Sequence, residues 1–283
     1  MQNIALAFSA LMMFSACSKT APSITTDPSA KTLMNVSYGN DSKQKLDLYL
    51  PQDRSKTTTK MVVLIHGGGW TTGDKNELTA SVQELQKRLP GYAFANINYR
   101  LFANDQNKFP AQENDVLSAV KFLITKGGEY NYSREFIFIG ASAGAHLALL
   151  QAYKHTEVIQ PKAVISFFGP TDLIDLYKNP LNAGIPYLLN SLTGSVPSQN
   201  PTVYQQSSPI YFVNAGSAPT LLLHGEKDDL VPKNQAILLR NKLQSVNVSS
   251  KLVLYPNEGH GWSGTNLSNS FDEIADFLKL HVD

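Results

Sequence analysis

A glycine-rich turn around Ser142 constrains the fold of this chain more than any other segment. Residues 140–144 read Gly-Ala-Ser-Ala-Gly, follow the apolar run 135–139 and precede a helix-forming stretch over 145–150. A strand, a sharp turn and a helix are the setting in which a G-x-S-x-G motif lifts a serine hydroxyl clear of a sheet. Glycines two positions before and after the serine remove side chains that would clash in so tight a turn. The pattern predicts that Ser142 is a nucleophile.

Two later loops carry the partners that a nucleophilic serine needs. The apolar run 220–223 leads into a polar loop that contains Asp228 and Asp229, and the run 251–255 ends in a loop where His260 stands between two glycines. Open parallel sheets place their functional sites at the carboxyl ends of strands, where both loops lie. The order serine, acid, histidine is that of one large class of serine hydrolases. From the residues alone, either aspartate qualifies as the acid.

A third loop is suited to binding a negatively charged oxygen. Residues 66–70, His-Gly-Gly-Gly-Trp, follow the apolar run 61–65. In lipases and esterases such a loop supplies one half of the oxyanion hole, and the N–H after the nucleophile supplies the other. We predict that the backbone N–H groups of Gly68, Gly69 and Ala143 form this hole. The other five histidines are interpreted as structural or solvent-exposed.

Further motifs accompany these loops, namely Gly-Asp-Lys at 73–75, Asn-Tyr-Arg-Leu at 98–101, Gly-Pro-Thr-Asp at 169–172 and Ser-Pro-Ile at 208–210. Together they resemble the bacterial α/β-hydrolases that include bifunctional feruloyl and acetylxylan esterases, with kynurenine formamidases and hormone-sensitive-lipase-like esterases as relatives. The resemblance covers residues from about 33 to the C-terminus. It implies that Ser142 is the nucleophile, His260 the base and Asp228 the acid, because the family acid stands four residues after the histidine of a His-Gly motif.

The pattern of the remaining chain agrees with an α/β fold. Continuous apolar strands alternate with helical segments, which predicts a mostly parallel central sheet covered by helices on both faces. Residues 34–38 and 45–50 predict an antiparallel hairpin at the sheet edge. Residues 173–218 interrupt the alternation and are interpreted as a small cap over the site. We therefore assign residues 33–283 to one α/β-hydrolase domain.

The N-terminus predicts export. Residues 4–14 are apolar but too short to span a bilayer as a helix, and the segment ends at Cys17, the single cysteine of the chain. This ending resembles a bacterial lipobox, so residues 1–17 are predicted to be a signal peptide and Cys17 the lipidated residue. Residues 18–32, rich in Ser, Thr, Pro and Ala, are predicted to be a flexible linker. The protein would then contact the membrane only through its lipid anchor; a secreted or periplasmic protein without an anchor is the alternative.

Composition and motifs limit the possible partners. The net charge is +1 with no basic cluster, which argues against nucleic acid as a partner. The sequence contains no H-E-x-x-H, paired-cysteine or phosphate-loop pattern, so we expect no metal and no cofactor. We expect a small-molecule or oligosaccharide ester as the substrate.

The substrate prediction depends on the family resemblance and on aromatic residues. The resemblance implies a serine esterase acting on short-chain or aromatic acyl esters of carbohydrate. Trp70 and Trp262 follow two of the site loops and, with Tyr187, are the predicted substrate-binding residues; Tyr177 and Tyr204 are further cap residues able to stack on a ring. Two alternatives remain open, an amidase, peptidase or formamidase with the same triad and a catalytically silent surface binding protein on a hydrolase fold.

Overall fold

The computed structural model describes residues 29–282, which contain a sheet of eight strands in the order β1-β2-β4-β3-β5-β6-β7-β8. The strands are β1 Lys31–Ser37, β2 Lys45–Leu50, β3 Met61–Ile65, β4 Ala93–Ile97, β5 Phe136–Ala141, β6 Ala163–Phe167, β7 Thr220–Gly225 and β8 Ser250–Tyr255. Strands β3 to β8 run parallel to one another, while β2 pairs antiparallel with both β1 and β4. The predicted mostly parallel sheet and its edge hairpin are confirmed.

Helices cover both faces of the sheet, as predicted. In the described part of the chain the α-helices are α1 Thr79–Arg88, α2 Ala111–Tyr130, α3 Ala143–Lys154, α4 Leu173–Lys178, α5 Gly184–Thr193, α6 Pro201–Gln206, α7 Asn234–Ser245 and α8 Gly264–His281. Successive side chains of a strand point to opposite faces. In β3, Met61, Val63 and Ile65 accordingly join a core with α2, α3 and α7, whereas Val62 and Leu64 join a second core with α1 and α8. Burial on both faces explains why this strand is a continuous apolar run.

The segment predicted as a cap lies between β6 and β7. It consists of α4, α5, α6 and a 3-10 helix over Pro209–Phe212. Leu189, Leu192 and Tyr204 anchor it and are completely buried. The Tyr204 hydroxyl donates a hydrogen bond to the Ser195 carbonyl oxygen at 3.0 Å. The prediction that Tyr204 is available to stack on a substrate ring is therefore wrong, because this side chain packs inside the cap.

The N-terminal predictions are only partly covered by the structure. Strand β1 begins at Lys31, so the predicted linker of residues 18–32 ends two residues too late, because its last two residues pair with β2. Cys17 and the predicted signal peptide lie outside the described residues. Within residues 29–282, none of the helices combines the length and the apolar character that a membrane span requires.

Candidate active site

Ser142 occupies a strained turn between β5 and α3. Its backbone has φ 53° and ψ −120°, a conformation that non-glycine residues rarely adopt. A Cβ atom at Gly140 would lie 2.2 Å from the Gly144 carbonyl oxygen, and one at Gly144 would lie 2.1 Å from the Ile65 carbonyl oxygen. Both glycines are therefore required by close backbone contacts, as the sequence motif indicated. The turn holds the serine side chain at the carboxyl end of the sheet.

Three predicted side chains form one hydrogen-bonded chain across the ends of β5, β7 and β8. His260 Nε2 lies 2.8 Å from Ser142 Oγ, and His260 Nδ1 lies 2.8 Å from Asp228 Oδ2. A hydroxyl, an imidazole and a carboxylate in this order can move the serine proton onto the imidazole while the carboxylate orients the ring and stabilises the imidazolium. The structure thus brings together residues that are up to 118 positions apart in sequence.

Asp228, and not its neighbour, is the carboxylate that faces His260. The Asp228 side chain is completely buried, whereas Asp229 is exposed. Asp228 Oδ1 accepts hydrogen bonds from the N–H groups of Leu230 and Val231, both at 2.9 Å. Burial opposes ionisation of Asp228, but its contacts with the imidazoles of His224 and His260 outweigh it and hold the pKa of this carboxyl below its ordinary value.

His224 supports the acid, a role that sequence interpretation did not assign to it. Its Nε2 donates to the Val231 carbonyl oxygen at 2.8 Å and lies 3.4 Å from Asp228 Oδ2. One imidazole therefore contacts both the carboxylate and the loop that follows it. This contact explains physically why a histidine four residues before the acid is useful in the His-Gly motif.

The predicted oxyanion loop presents free donors. Gly68 and Gly69 have positive φ angles of 101° and 57°, and a Cβ at Gly68 would lie 2.2 Å from the Thr72 carbonyl oxygen. Within residues 29–282, the N–H groups of Gly68 and Gly69 have no hydrogen-bond acceptor. Ala143 is the first residue of α3, where helical N–H groups lack an intrahelical partner. These donors can bind an anionic oxygen beside Ser142.

A buried ion pair fixes the far end of this loop. Lys75 Nζ lies 2.7 Å from Asp47 Oδ2, and the two side chains are 3% and 0% exposed. The Lys75 N–H also donates to Asn98 Oδ1 at 2.6 Å, and the Asp74 carboxylate caps the 3-10 helix over Lys75–Leu78. Losing one partner of a buried pair costs about 3–5 kcal/mol. The ion pair therefore ties the loop strongly to β2, and the bond to Asn98 ties it to the residues after β4. The Gly-Asp-Lys motif identified Lys75 in the sequence, but the sequence did not indicate that Lys75 is buried.

A cleft of about 540 Å³ opens beside Ser142. Its lining combines the glycine loop and His260 with apolar residues of the cap and the acid loop, namely Leu176, Ile185, Leu188, Leu230 and Val231. Pro170 and Phe168 complete one wall. The cap therefore forms part of the site wall, and the cleft has the mostly apolar lining with a few convergent polar groups that is typical of small-molecule sites.

The three predicted substrate-binding aromatics lie in three different places. Trp70 lines the cleft, although it is only 3% exposed. Trp262 does not line the cleft; it borders a separate cavity and its Nε1 donates to Ser270 Oγ at 2.9 Å. Tyr187 is 76% exposed and lines a surface groove on the cap with Tyr177. The prediction that Trp262 and Tyr187 line the substrate cleft is therefore corrected, because packing directs both rings away from it.

Phe168 is a site residue that sequence interpretation missed. It has a positive φ of 42°, a strained conformation for a bulky residue, and its ring contacts the His260 imidazole edge-to-face at a centroid distance of 4.7 Å. Trp262 packs behind it at 5.3 Å. Phe168 stands directly after strand β6 and before Gly-Pro. This position could have predicted a site residue, since the carboxyl ends of the strands form this site.

His146 links the glycine loop to the cap. Its Nδ1 accepts a hydrogen bond from Trp70 Nε1 at 3.3 Å, and its Nε2 donates to the Ser207 carbonyl oxygen at 2.6 Å. The side chain is completely buried, and this burial lowers its pKa to about 4. The interpretation of His146 as structural agrees with these contacts, which require a neutral ring.

This burial predicts acid-sensitive stability. Between pH 6.5 and 4 the unfolded chain binds a proton at His146 and the folded chain does not, so folding stability is lost as pH falls through this window. We expect a contribution of about 3 kcal/mol to the loss. Urea unfolding at pH 7 and pH 4 should show a smaller pH-dependent loss for His146→Gln than for the unsubstituted protein. Equal losses in both proteins would contradict the assignment.

Comparison with known proteins relates the chain to proteins named as esterases and to structures of the same fold. A family model described as BD-FAE matches residues 46–243. The chain is 30% identical over 238 residues to "Probable carboxylic ester hydrolase LipM" of Mycobacterium tuberculosis, covering 78% of this chain and 53% of that protein. It is 25% identical over 261 residues to "Esterase LipC" of the same organism, covering 86% and 64%. The chain thus spans about half to two thirds of the length of these curated relatives.

Solved structures show the same fold. A bifunctional GH43-CE protein of Bacteroides eggerthii superposes with a TM-score of 0.76 at 25% identity, covering 89% of this chain and 38% of that one. A truncated carbohydrate esterase from gut microbiota superposes with a TM-score of 0.73 at 24% identity, covering 88% and 98%. These likenesses agree with the predicted α/β-hydrolase architecture.

Proposed function

The chain belongs to the BD-FAE family of α/β-hydrolases, and from this premise we propose that it is a serine esterase. The observation that carries the proposal is the row of hydrogen bonds from Asp228 through His260 to Ser142, whose serine end lines the same cleft as Gly68 and Gly69 with their free N–H groups. Curated relatives named as a carboxylic ester hydrolase and as an esterase support ester chemistry.

The geometry supports a two-step acyl transfer. His260 Nε2 takes the proton from Ser142 Oγ as this oxygen attacks the ester carbonyl carbon. The N–H groups of Gly68, Gly69 and Ala143 bind the carbonyl oxygen as it becomes negative. His260 then gives its proton to the leaving alcohol, which departs and leaves an acyl group on Ser142. Water repeats the sequence, and the acid and the free serine are regenerated.

A fluorophosphonate probe tests whether the site is catalytic. The probe reacts with activated serines, so we expect covalent labelling at Ser142, located by mass spectrometry of the peptide. Absence of label on the folded protein would favour the silent binding protein. Hydrolysis rates on a matched pair, a p-nitrophenyl ester and the corresponding p-nitroanilide, then compare esterase with amidase activity; a faster anilide would contradict the proposal.

We propose short-chain or aromatic acyl esters of carbohydrate as the substrates. The structural likeness to a bifunctional GH43-CE protein supports this class. The cleft of about 540 Å³ lies between the cap and the glycine loop. We expect higher kcat/KM on acetylated xylo-oligosaccharide and methyl ferulate than on long-chain esters. A p-nitrophenyl series from acetate to palmitate is the comparison to measure. A preference that climbs to palmitate would instead indicate a lipase.

We propose further that the protein is an exported lipoprotein anchored through Cys17. The support is the sequence pattern alone, a short apolar segment that ends at the single cysteine. Protein purified from bacterial membranes should begin at Cys17 and carry acyl chains, and the Cys17→Ser variant should remain unprocessed at that position. If mass spectrometry found the mature N-terminus at another residue, the lipid anchor would be wrong and ordinary secretion would be the explanation.

A further inference from the structure

The two N–H groups of the glycine loop belong to peptide groups whose carbonyl oxygens are held by hydrogen bonds. The N–H of Gly68 shares a peptide group with the Gly67 carbonyl, and the N–H of Gly69 shares one with the Gly68 carbonyl. Both peptide bonds are trans, and in a trans peptide the C=O and the N–H point in opposite directions. A contact that fixes the carbonyl oxygen on one side of the loop therefore aims the N–H toward the other side.

The Gly68 carbonyl is held by the residues that follow it in the loop. It accepts hydrogen bonds from the N–H groups of Thr71 and Thr72 at 3.1 and 2.9 Å. The Thr72 hydroxyl donates to the same oxygen at 3.1 Å. The Gly69 N–H is thus oriented by contacts within its own loop.

The Gly67 carbonyl is held by two side chains. His66 Nδ1 lies 2.8 Å from this oxygen, and the Tyr99 hydroxyl lies 3.2 Å from it and 2.9 Å from the His66 carbonyl oxygen. A carbonyl only accepts, so His66 Nδ1 carries a proton, and the Tyr99 hydroxyl shares its single proton between the two carbonyls. The Gly68 N–H is therefore aimed by side chains, one of them 32 positions away in sequence.

Both side chains are buried, and both use their polar atoms on this loop. Tyr99 is completely buried, and its ring stacks on the His66 ring with centroids 4.4 Å apart. Within residues 29–282, His66 Nε2 has no hydrogen-bond partner, so the ring bonds only the Gly67 carbonyl. Burial lowers the pKa of His66, which favours the neutral ring. Two apolar rings would fill this space without burying polar groups, so packing alone does not explain the pair.

The held peptide lies directly against the nucleophile turn. A Cβ at Gly67 would lie 2.9 Å from the Ala141 carbonyl oxygen and 3.3 Å from Ser142 Cβ. A Cβ at Gly73 would lie 2.6 Å from His66 Nδ1 and 2.7 Å from the Gly67 carbonyl oxygen. The backbone is therefore packed closely around this peptide. Any reorientation of the peptide moves its N–H relative to Ser142 Oγ.

We propose that Tyr99 and His66 are positioning residues for ester hydrolysis, which hold the peptide between Gly67 and Gly68 so that its N–H faces the oxygen that becomes negative in the transition state. This inference rests on the proposed esterase function. Neither side chain lines the cleft, so neither contacts the substrate. Their loss lowers kcat and leaves KM nearly unchanged, because the negative charge exists only in the transition state and the intermediate.

Removing the Tyr99 hydroxyl tests the proposal. Tyr99→Phe keeps the stacked ring and deletes one donor to the Gly67 carbonyl. We expect kcat on p-nitrophenyl acetate to fall by about tenfold to 100-fold, since complete loss of an oxyanion donor costs about 100-fold to 1,000-fold. KM should stay within about threefold. The matched control is Tyr132→Phe, because this buried hydroxyl also donates to a backbone carbonyl, that of Leu123, outside the cleft lining. The control should keep both values.

A trifluoromethyl ketone separates positioning from a general loss of stability. Ser142 Oγ adds to the carbonyl carbon of trifluoroacetophenone, the carbonyl π electrons become a lone pair on its oxygen, and His260 takes the serine proton. No group leaves, so the adduct keeps a negative oxygen that needs the same N–H groups as the transition state. We expect the inhibition constant of Tyr99→Phe to rise by about the factor by which kcat falls. An unchanged inhibition constant, or a loss confined to KM, overturns the proposal.

Two variants of His66 provide a second comparison, which also decides the question if Tyr99→Phe does not fold. Asparagine and leucine have nearly the same size, but only the asparagine amide can donate to the Gly67 carbonyl from the place of Nδ1. We expect kcat of His66→Asn to exceed that of His66→Leu by about tenfold or more. Equal values in the two variants would show that His66 only fills space.

The outcomes separate this proposal from the esterase proposal. If the unsubstituted protein neither hydrolyses the ester nor forms the ketone adduct, the esterase proposal fails and the positioning role fails with it. If it does both and Tyr99→Phe behaves like Tyr132→Phe, the positioning role alone is wrong.

A crystal structure of the unsubstituted protein with the ketone adduct needs no variant. We expect the adduct oxygen within hydrogen-bond distance of the Gly68 nitrogen, with the Gly67 carbonyl still bound by Tyr99 and His66. An adduct oxygen that the Gly68 N–H does not bind would overturn the assignment.

Discussion

Ser142→Ala should abolish ester hydrolysis and leave the fold intact. Removing the nucleophile of a triad that acts as a unit lowers kcat by about a million-fold. Ser142 Oγ lies 2.8 Å from His260 Nε2 and is the last member of the triad's hydrogen bonds. Alanine keeps the Cβ in the strained turn and leaves no unpaired hydroxyl, so the turn gains no new contact. We expect this to be the largest single effect among the substitutions proposed for this protein.

The measurement is kcat/KM on p-nitrophenyl acetate together with thermal unfolding. Ser118→Ala is a matched control because that side chain is partly exposed on α2 and its hydroxyl bonds only the Asn114 carbonyl oxygen in the described structure. The control should keep its activity, and both variants should unfold near the temperature of the unsubstituted protein. A Ser142→Ala protein that retained a substantial fraction of the activity would remove Ser142 from the mechanism.

Asp228→Asn should cause the second-largest loss, and Asp229→Asn should be mild. The side-chain oxygen of an asparagine at position 228 can still accept the hydrogen bonds from the N–H groups of Leu230 and Val231, so the loop should remain in place. Its NH₂ group would then face His260 Nδ1 and favour the tautomer that cannot accept the Ser142 proton. In serine proteases the corresponding change lowers kcat by about 10⁴-fold.

Comparing the two neighbouring variants controls for the change in charge, since both remove one carboxylate from the same loop. Asp229 is exposed and does not contact His260, so its loss removes no hydrogen bond to the imidazole. The measurement is the hydrolysis rate of both variants at neutral pH on the same ester, which shows which of the two carboxylates supports His260. A larger loss for Asp229→Asn than for Asp228→Asn would show that the loop rearranges in solution and that the other carboxylate supports His260.

Much of the fold and of the site could be predicted because the relevant signals are local. Runs such as Met61–Ile65 are apolar because both faces of their strand are buried. The glycines around Ser142 are required by contacts within a few residues of the turn and with the adjacent strand. The chain order then identified His260 among six histidines. The Asp228 assignment needed the family spacing, because two adjacent aspartates are equivalent until the loop conformation buries one of them.

The tertiary structure alone decided where the large side chains point. Trp262 follows a site loop in sequence and Tyr187 lies in the cap, yet packing directs the Trp262 ring to a cavity separate from the cleft and leaves Tyr187 exposed to solvent. Lys75 and Asp47 are 28 positions apart, and nothing local indicates that they form a buried pair. The physical reason is the same in each case. Backbone preferences act over a few residues, whereas the direction of a side chain and the shape of a cavity depend on which distant elements pack there, as α1, α8 and the end of β6 do around Phe168.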